Sequence, residues 1–161
     1  MTIDEVLGIA QTIEENGANF YRRATGLHFE ERAKIILLNL AEMEEEHKRE
    51  FSVMQAELPK QKQKEDVDLS EMGPYLKALS DSSDLEGSNT ASHLFTGDEA
   101  LSDIVLIGID LEKETILYYL GLKDLFSSGK EKKIIDNIIN QEKVHLVTLV
   151  EEYRKLRKEE Y

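Results

Sequence analysis

The sequence predicts an all-α protein: a four-helix bundle with one long crossover connection between the second and third helices. Three observations carry that expectation. Apolar residues recur at spacings of three and four, the helical period, in four separate segments. The two prolines, Pro59 and Pro74, lie outside all four, as helix interiors require. A polar stretch at about 58–97 divides the segments into two pairs. It is long enough to run the length of a bundle, which a one-crossover topology demands.

Helix one is expected at about 2–25, with Ile3, Leu7, Ala10, Gly17, Tyr21 and Ala24 on one stripe. Thr2-x-x-Glu5 reads as its capping box, and Gly26 as the break after it. Helix two, at about 30–57, carries Leu37, Leu40, Phe51 and Met54. Helix three, at about 98–126, carries Leu101, Val105, Gly108, Tyr119 and Leu122, with Thr96-x-x-Glu99 as its expected capping box. Helix four, at about 131–158, follows the Ser127-Ser128-Gly129 break and carries Ile135, Ile138 and Leu149. Short loops within each pair predict antiparallel neighbours. The 58–97 stretch holds both prolines, Lys60–Lys64 and the run SDSSDLEGSNT at 80–90. Pro74–Leu79 would add a short helix, and the stretch as a whole reads as a plain crossover. One domain spanning 1–161 is expected, since 161 residues suffice for a real core.

Composition excludes several classes of function. With 33 acidic and 20 basic residues the formal charge is −13, the opposite of a nucleic-acid-binding footprint. There is no cysteine, so disulfides, zinc fingers, iron–sulfur centres and thiol catalysis are out. The N-terminus shows no basic region followed by an apolar run, so no signal peptide is expected. Charge-free apolar runs such as Ile104–Ile109 are far short of the roughly 20 residues of a membrane span. A soluble cytoplasmic protein is the expectation.

The strongest signal is a repeat. Glu44-x-x-His47 and Glu142-x-x-His145 each have a lone Glu thirty residues upstream, Glu14 and Glu112 (44 − 14 and 142 − 112). The offset between copies is constant: 112 − 14, 142 − 44 and 145 − 47 all give 98. These residues interrupt the apolar stripes. Glu14 lies between Ala10 and Gly17, Glu44 and His47 between Leu40 and Phe51, Glu112 between Gly108 and Tyr119, and Glu142 and His145 between Ile138 and Leu149. Each helix would therefore point a carboxylate into the core. Unpaired, each costs several kcal/mol or stays protonated. No Lys or Arg on these stripes compensates. Two divalent cations would neutralise four carboxylates, and the imidazoles would add neutral donors. Residues three apart share a helix face, so each Glu-x-x-His can present both side chains to one site. Four Glu and two His are the set a four-helix bundle uses to hold two metal ions. An oxygen-rich set with one imidazole per metal suits iron or manganese, with zinc and cobalt as competitors.

Other repeated residues are less specific. Tyr21 and Tyr119 share the offset and lie two turns beyond their lone Glu. Their hydroxyls would either hydrogen-bond a ligand carboxylate or serve core aromatics that reach any convenient acceptor. Asn39 and Asn137 read as surface residues; Phe20 with Tyr118 and Ile9 with Ile107 read as packing. Glu15, Glu45, Glu46 and Glu114 are expected to face solvent. His28 and His93 fall outside the pattern and read as surface or loop histidines.

The segments IEENGANFY, AEMEEEHKREF, DLEKETILYY and NQEKVHLVTLVEEY resemble the helices of the ferritin-like superfamily, and within it the rubrerythrin-like group. The resemblance spans the four helices and matches six ligands in order and spacing. It implies a bundle with a left-handed crossover and a carboxylate-bridged diiron centre. Glu14 and Glu112 would be terminal ligands, Glu44 and Glu142 would bridge, and His47 and His145 would bind one metal each. There are two departures. Full-length rubrerythrins also carry a Cys-bound iron in a rubredoxin-like domain, whereas this chain has no Cys. A separate donor, a rubredoxin or a flavoprotein, would therefore supply electrons. They also carry an extra Glu one turn after the third-helix ligand, where this chain has Thr115. The symmetric set that remains is similar to bacterioferritin-type ferroxidase centres and to simpler stand-alone diiron proteins.

The resemblance implies an oxidoreductase in which a reduced iron pair gives one electron per iron to H₂O₂ or O₂. Iron storage ranks lower, because no clear fifth helix of the ferritin kind follows helix four. A fully ligated structural metal site and oxidation of an organic substrate in an adjoining apolar pocket are the remaining readings. Self-association as a homodimer is expected from the family, with no nucleic acid and no membrane as partners.

Overall fold

The computed structural model describes residues 1–27, 29–59 and 95–159. Among these, four helices form: α1 (Ile3–Ala24), α2 (Glu31–Ala56), α3 (Leu101–Leu125) and α4 (Gly129–Glu159). All four fall within three residues of the expected bounds. The expected helix at Pro74–Leu79, Lys60–Lys64, the 80–90 run, His28 and His93 lie outside the described residues.

The ends show why these segments start and stop where they do. Thr2 caps α1 as expected: its hydroxyl accepts from the Glu5 N–H (3.3 Å), and its own N–H donates to Glu5 Oε2 (2.7 Å). The Thr96 box does not form. Glu99 does reach back to the N–H groups of Thr96 and Gly97, but Gly97 turns to φ +94 and the helix begins only at Leu101. Ala100 is the N-cap there. It has no side-chain acceptor, and Asp103 closes the turn by accepting from its N–H (2.9 Å). The loop between α3 and α4 is Phe126–Ser128, one residue ahead of the expected break, and Gly129 already belongs to α4.

The helices pair as two antiparallel hairpins, α1 with α2 and α3 with α4. Polar contacts reinforce the first: Arg22 with Glu45 (3.0 Å), Lys48 with Glu15 (3.4 Å) and Gln11 with Gln55 (2.7 Å). Lys123 with Asp136 does so in the second. Between the hairpins backbone approach is sparse, and side chains make the join. They do so in two apolar clusters. One gathers Leu7, Phe51, Tyr119, Leu122, Ile135 and Ile138. The other gathers Phe20, Tyr21, Leu37, Ile104, Val105 and Leu149. On every helix the two clusters are separated by the same polar interval: Glu14, Glu44 with His47, Glu112, and Glu142 with His145. The core is thus two apolar halves with a charged layer between them.

Candidate metal centre

Sequence periodicity alone puts the charged layer inside. Each of its residues occupies a position on the stripe that the hydrophobic effect buries. Glu14, Glu44, Glu112, Glu142 and His145 are all less than 8% exposed, and the His47 side chain is 14% exposed. Four carboxyl groups and two imidazoles therefore share one region from which water is nearly excluded.

The groups sort by hairpin. His47 Nδ1 lies 3.8 Å from Glu14 Oε2, joining α1 and α2. His145 Nδ1 lies 2.9 Å from Glu112 Oε1, joining α3 and α4. Each hairpin supplies one lone Glu beside one His. The remaining two carboxylates, Glu44 and Glu142, lie 3.6 and 3.8 Å from His145 Nδ1, so they belong to the middle of the cluster. The imidazole rings face each other on the α2 and α4 side, 4.2 Å between centroids. Two triads bring one donor atom each within 4.8 Å of one another: Glu14, His47 and His145, and Glu44, Glu112 and His145.

The close approaches are not hydrogen bonds. Glu14 Oε2, Glu142 Oε1, His47 Nδ1 and both nitrogens of His145 are buried without a hydrogen-bond partner. Buried polar atoms are ordinarily satisfied, so five orphans in one cluster fit the donor set of a cation site. The proton balance agrees. Burial, reinforced by the neighbouring carboxylates, holds the Glu14 and Glu112 carboxyls well above the usual range. Burial also raises Glu44, against the pull of His145. Burial alone would lower His145, but Glu44, Glu112 and Glu142 push it up to about 11. Glu142 is pushed up by burial yet ends lowered, because the protons held on His145, Glu14 and Glu112 lie close enough to favour its charged form. His47 is lowered by burial and by the charge of His145. Without a cation, the cluster limits its own repulsion by holding protons.

On the α1 and α3 side a cavity of about 40 Å³ opens beside the carboxylates. Ile13, Asn16, Gly17, Phe20 and Tyr21 line it from α1, and Gly108, Leu111 and Thr115 from α3; neither histidine reaches it. Ile13, Asn16, Gly17 and Leu111 are half-buried, so the cavity meets the surface. Two glycines make the room. A Cβ at Gly17 would sit 3.0 Å from the Glu44 carboxyl carbon, and one at Gly108 would overlap the Tyr21 hydroxyl.

A solved structure from Thermotoga maritima, provisionally described as a ferritin-like diiron-carboxylate protein, matches with a TM-score of 0.58 at 27% identity. The match covers 96% of this chain and 95% of that one. The fold is ferritin-like. A hypothetical protein from Pyrococcus furiosus shares it at 19% identity and a TM-score of 0.54, over 98% of this chain and 92% of its own. No family model and no curated protein matches the sequence.

Within the ferritin-like bundle the other expectations can be placed. Tyr21 and Tyr119 are both fully enclosed, and the Tyr119 hydroxyl has no hydrogen-bond partner. Burial first, and the nearby carboxylates second, push both phenols well above their ordinary range. Asn39 and Asn137 are exposed. Glu15 and Glu46 face solvent, but Glu45 and Glu114 are half-buried, and Glu45 is held by Arg22. Ile13, Asn16 and Leu111 had no place in the sequence reading of the site. A signal existed for two of them, since Ile13 and Leu111 precede the lone glutamates and obey the same offset (111 − 13 gives 98). No helix among the described residues is long and apolar enough to cross a membrane.

Proposed function

We propose that this chain is a diiron-carboxylate oxidoreductase of rubrerythrin-like type that reacts with H₂O₂ or O₂ and is returned to its reduced state by a separate electron donor. One observation carries the reading: a buried set of four carboxyls and two imidazoles, with five orphaned donor atoms, beside a small opening on its carboxylate side.

Glu14 with His47 would hold one ion, Glu112 with His145 the other, and Glu44 and Glu142 would bridge. Two divalent ions match the four carboxylates in charge. Two reduced irons would supply the two electrons that a peroxide or dioxygen takes up, one from each metal. The protein's own contribution is position and access. Phe20, Ile13 and Leu111 keep apolar walls against the site. The cavity admits roughly two or three water-sized molecules, against about 300–1,000 Å³ for sites of drug-sized ligands. That size favours a diatomic or peroxide oxidant over a bulky organic substrate. Thr115 lines the cavity where rubrerythrins place an extra carboxylate, which favours the symmetric six-ligand set. Manganese and zinc would fit the same donors.

The test is anaerobic loading with Fe(II), followed by stopped-flow mixing with H₂O₂ or O₂. Fast oxidation by H₂O₂ supports a peroxidase; a preference for O₂ favours a ferroxidase. No reaction with either leaves a structural site or another metal. Glu44→Ala and Glu142→Ala should each abolish peroxide-dependent iron oxidation, and full activity in either variant sinks the proposal.

A further inference from the structure

The inner side of α3 carries Glu112 and the core residues. Its outer side carries Leu106, Leu117 and Leu120, which are 39, 48 and 43% exposed. Asp110 and Lys113 lie between them, each more than half exposed. At 3.6 residues per turn these five side chains fall within an arc of about 80°. A helix that is apolar on both sides is ordinarily buried on both sides.

The order of the stripe is self-complementary. Leu106, Asp110, Lys113 and Leu117 read apolar, acid, base, apolar. Reversed about the midpoint between 111 and 112, Leu106 falls opposite Leu117 and Asp110 falls opposite Lys113. A two-fold axis performs that reversal, since in an isologous interface residue i meets j and j meets i. The outer face of α2 lacks this property. Ile35, Leu38 and Val53 are exposed there too, but reversal about the centre of that stripe sets Glu42 against Glu46. A partner of unrelated sequence, or another segment of the same chain, would give α3 no reason to mirror itself.

We propose that two copies of this chain associate through the outer face of α3, with the helices antiparallel about the 111–112 midpoint. The contact matches two leucine pairs and two opposite-charge pairs over residues 106–117; Leu120 falls opposite exposed Asp103 and flanks the matched stretch. Asp110 and Lys113 now pair along their own helix at 3.3 Å. In the dimer each also faces its opposite on the partner copy. Charge pairing of this kind fixes register and excludes wrong partners more than it adds affinity.

The test is the mass of the full chain by sedimentation equilibrium over a concentration series. Wild type should run at twice the chain mass of 18.5 kDa. Asp110→Lys sets lysines face to face and Lys113→Asp sets aspartates face to face, so each alone should run as a monomer. An equimolar mixture of the two variants should dimerise again, as should the double variant, because both restore opposite charges. Leu117→Glu should be monomeric by a route independent of charge reversal. All these positions face solvent, so helical circular dichroism should stay at the wild-type level. A wild type that is monomeric throughout overturns the proposal and leaves the face to the chain's own residues. A dimer that the single reversals and Leu117→Glu leave intact overturns it as well.

Discussion

His145 shows most sharply what the surroundings impose on a single side chain. It is 1% exposed, three carboxylates lie within 3.8 Å, and neither ring nitrogen has a hydrogen-bond partner. The Tyr119 hydroxyl is a milder case, buried and orphaned in the apolar cluster that adjoins the charged layer. Removing an unsatisfied hydroxyl costs little. Tyr119→Phe should therefore change the stability of the metal-free protein by less than about 1 kcal/mol. A larger loss in the metal-loaded form, read by thermal unfolding, would mean that the hydroxyl turns to a ligand once metal is bound. The glycines give opposite signs. Gly108→Ala drives a methyl into the Tyr21 hydroxyl and should cost about 1–3 kcal/mol, as overpacking does. Gly8→Ala meets only Gln55 at 3.9 Å and should stabilise by about 0.5–1 kcal/mol, because it removes backbone freedom from the unfolded chain. Urea titration of both variants checks the pair; equal effects would mean that the space around Gly108 is not as described. All six candidate ligands could be read from the sequence, because each interrupts an apolar stripe. The cavity lining could be read only in part: Ile13 and Leu111 repeat at the offset of the ligands, whereas half-buried Asn16 looks like an ordinary helix residue.

At the scale of the element, the caps separate what sequence shows from what it cannot. Thr2 and Thr96 both open a Thr-x-x-Glu phrase. Only Thr2 precedes residues free to continue into a helix. Gly97 follows Thr96 and takes a positive φ, which sends the chain into a turn before α3. Thr2→Ala should cost about 1 kcal/mol, the usual worth of an N-cap. Thr96→Ala should cost less than half as much, because its hydroxyl accepts from Asp98 in the turn and from no N–H of α3. Comparable losses in thermal unfolding would mean that Thr96 does cap a helix. The helices themselves were legible because their period is long and unbroken. Their first residues were not, because a cap is decided by a few dihedral angles that composition does not fix.

For the whole molecule, the charged layer couples stability to protons and to metal. In the metal-free protein Glu14 and Glu112 hold protons far above the 4.5 at which an unfolded glutamate loses them. His145 holds its proton up to about 11, against 6.5 when unfolded. The folded state thus binds more protons than the unfolded one. The stability these groups contribute is present at low pH and lost as pH rises through their folded values. His47 and Glu142 are shifted downward and act in the opposite sense. Their contributions are lost as pH falls, His47 below 6.5 and Glu142 below 4.5. The window where only the first set changes is above neutrality. Between about pH 7 and pH 9 the metal-free protein should lose stability as pH rises. Metal affinity should rise over the same interval, because the ions must displace those protons. Melting curves with chelator and with added Fe(II) or Zn(II), run across that interval, test both. A metal-free protein that grows more stable with pH would contradict the proton balance. The bundle and its central layer were legible from the repeat. The side on which the layer opens was not, because that depends on how the two hairpins face each other.

The meeting of the hairpins has one more consequence. Each carries part of both apolar clusters and three of the six candidate ligands, so neither hairpin is complete without the other. Cut within 58–97 and expressed as two pieces, the chain should yield fragments that are poorly ordered apart and regain a cooperative melt when mixed. A divalent ion should tighten that reunion. The molecule would then behave as two interlocking pieces with a metal clasp, held less by their covalent connection than by what they enclose.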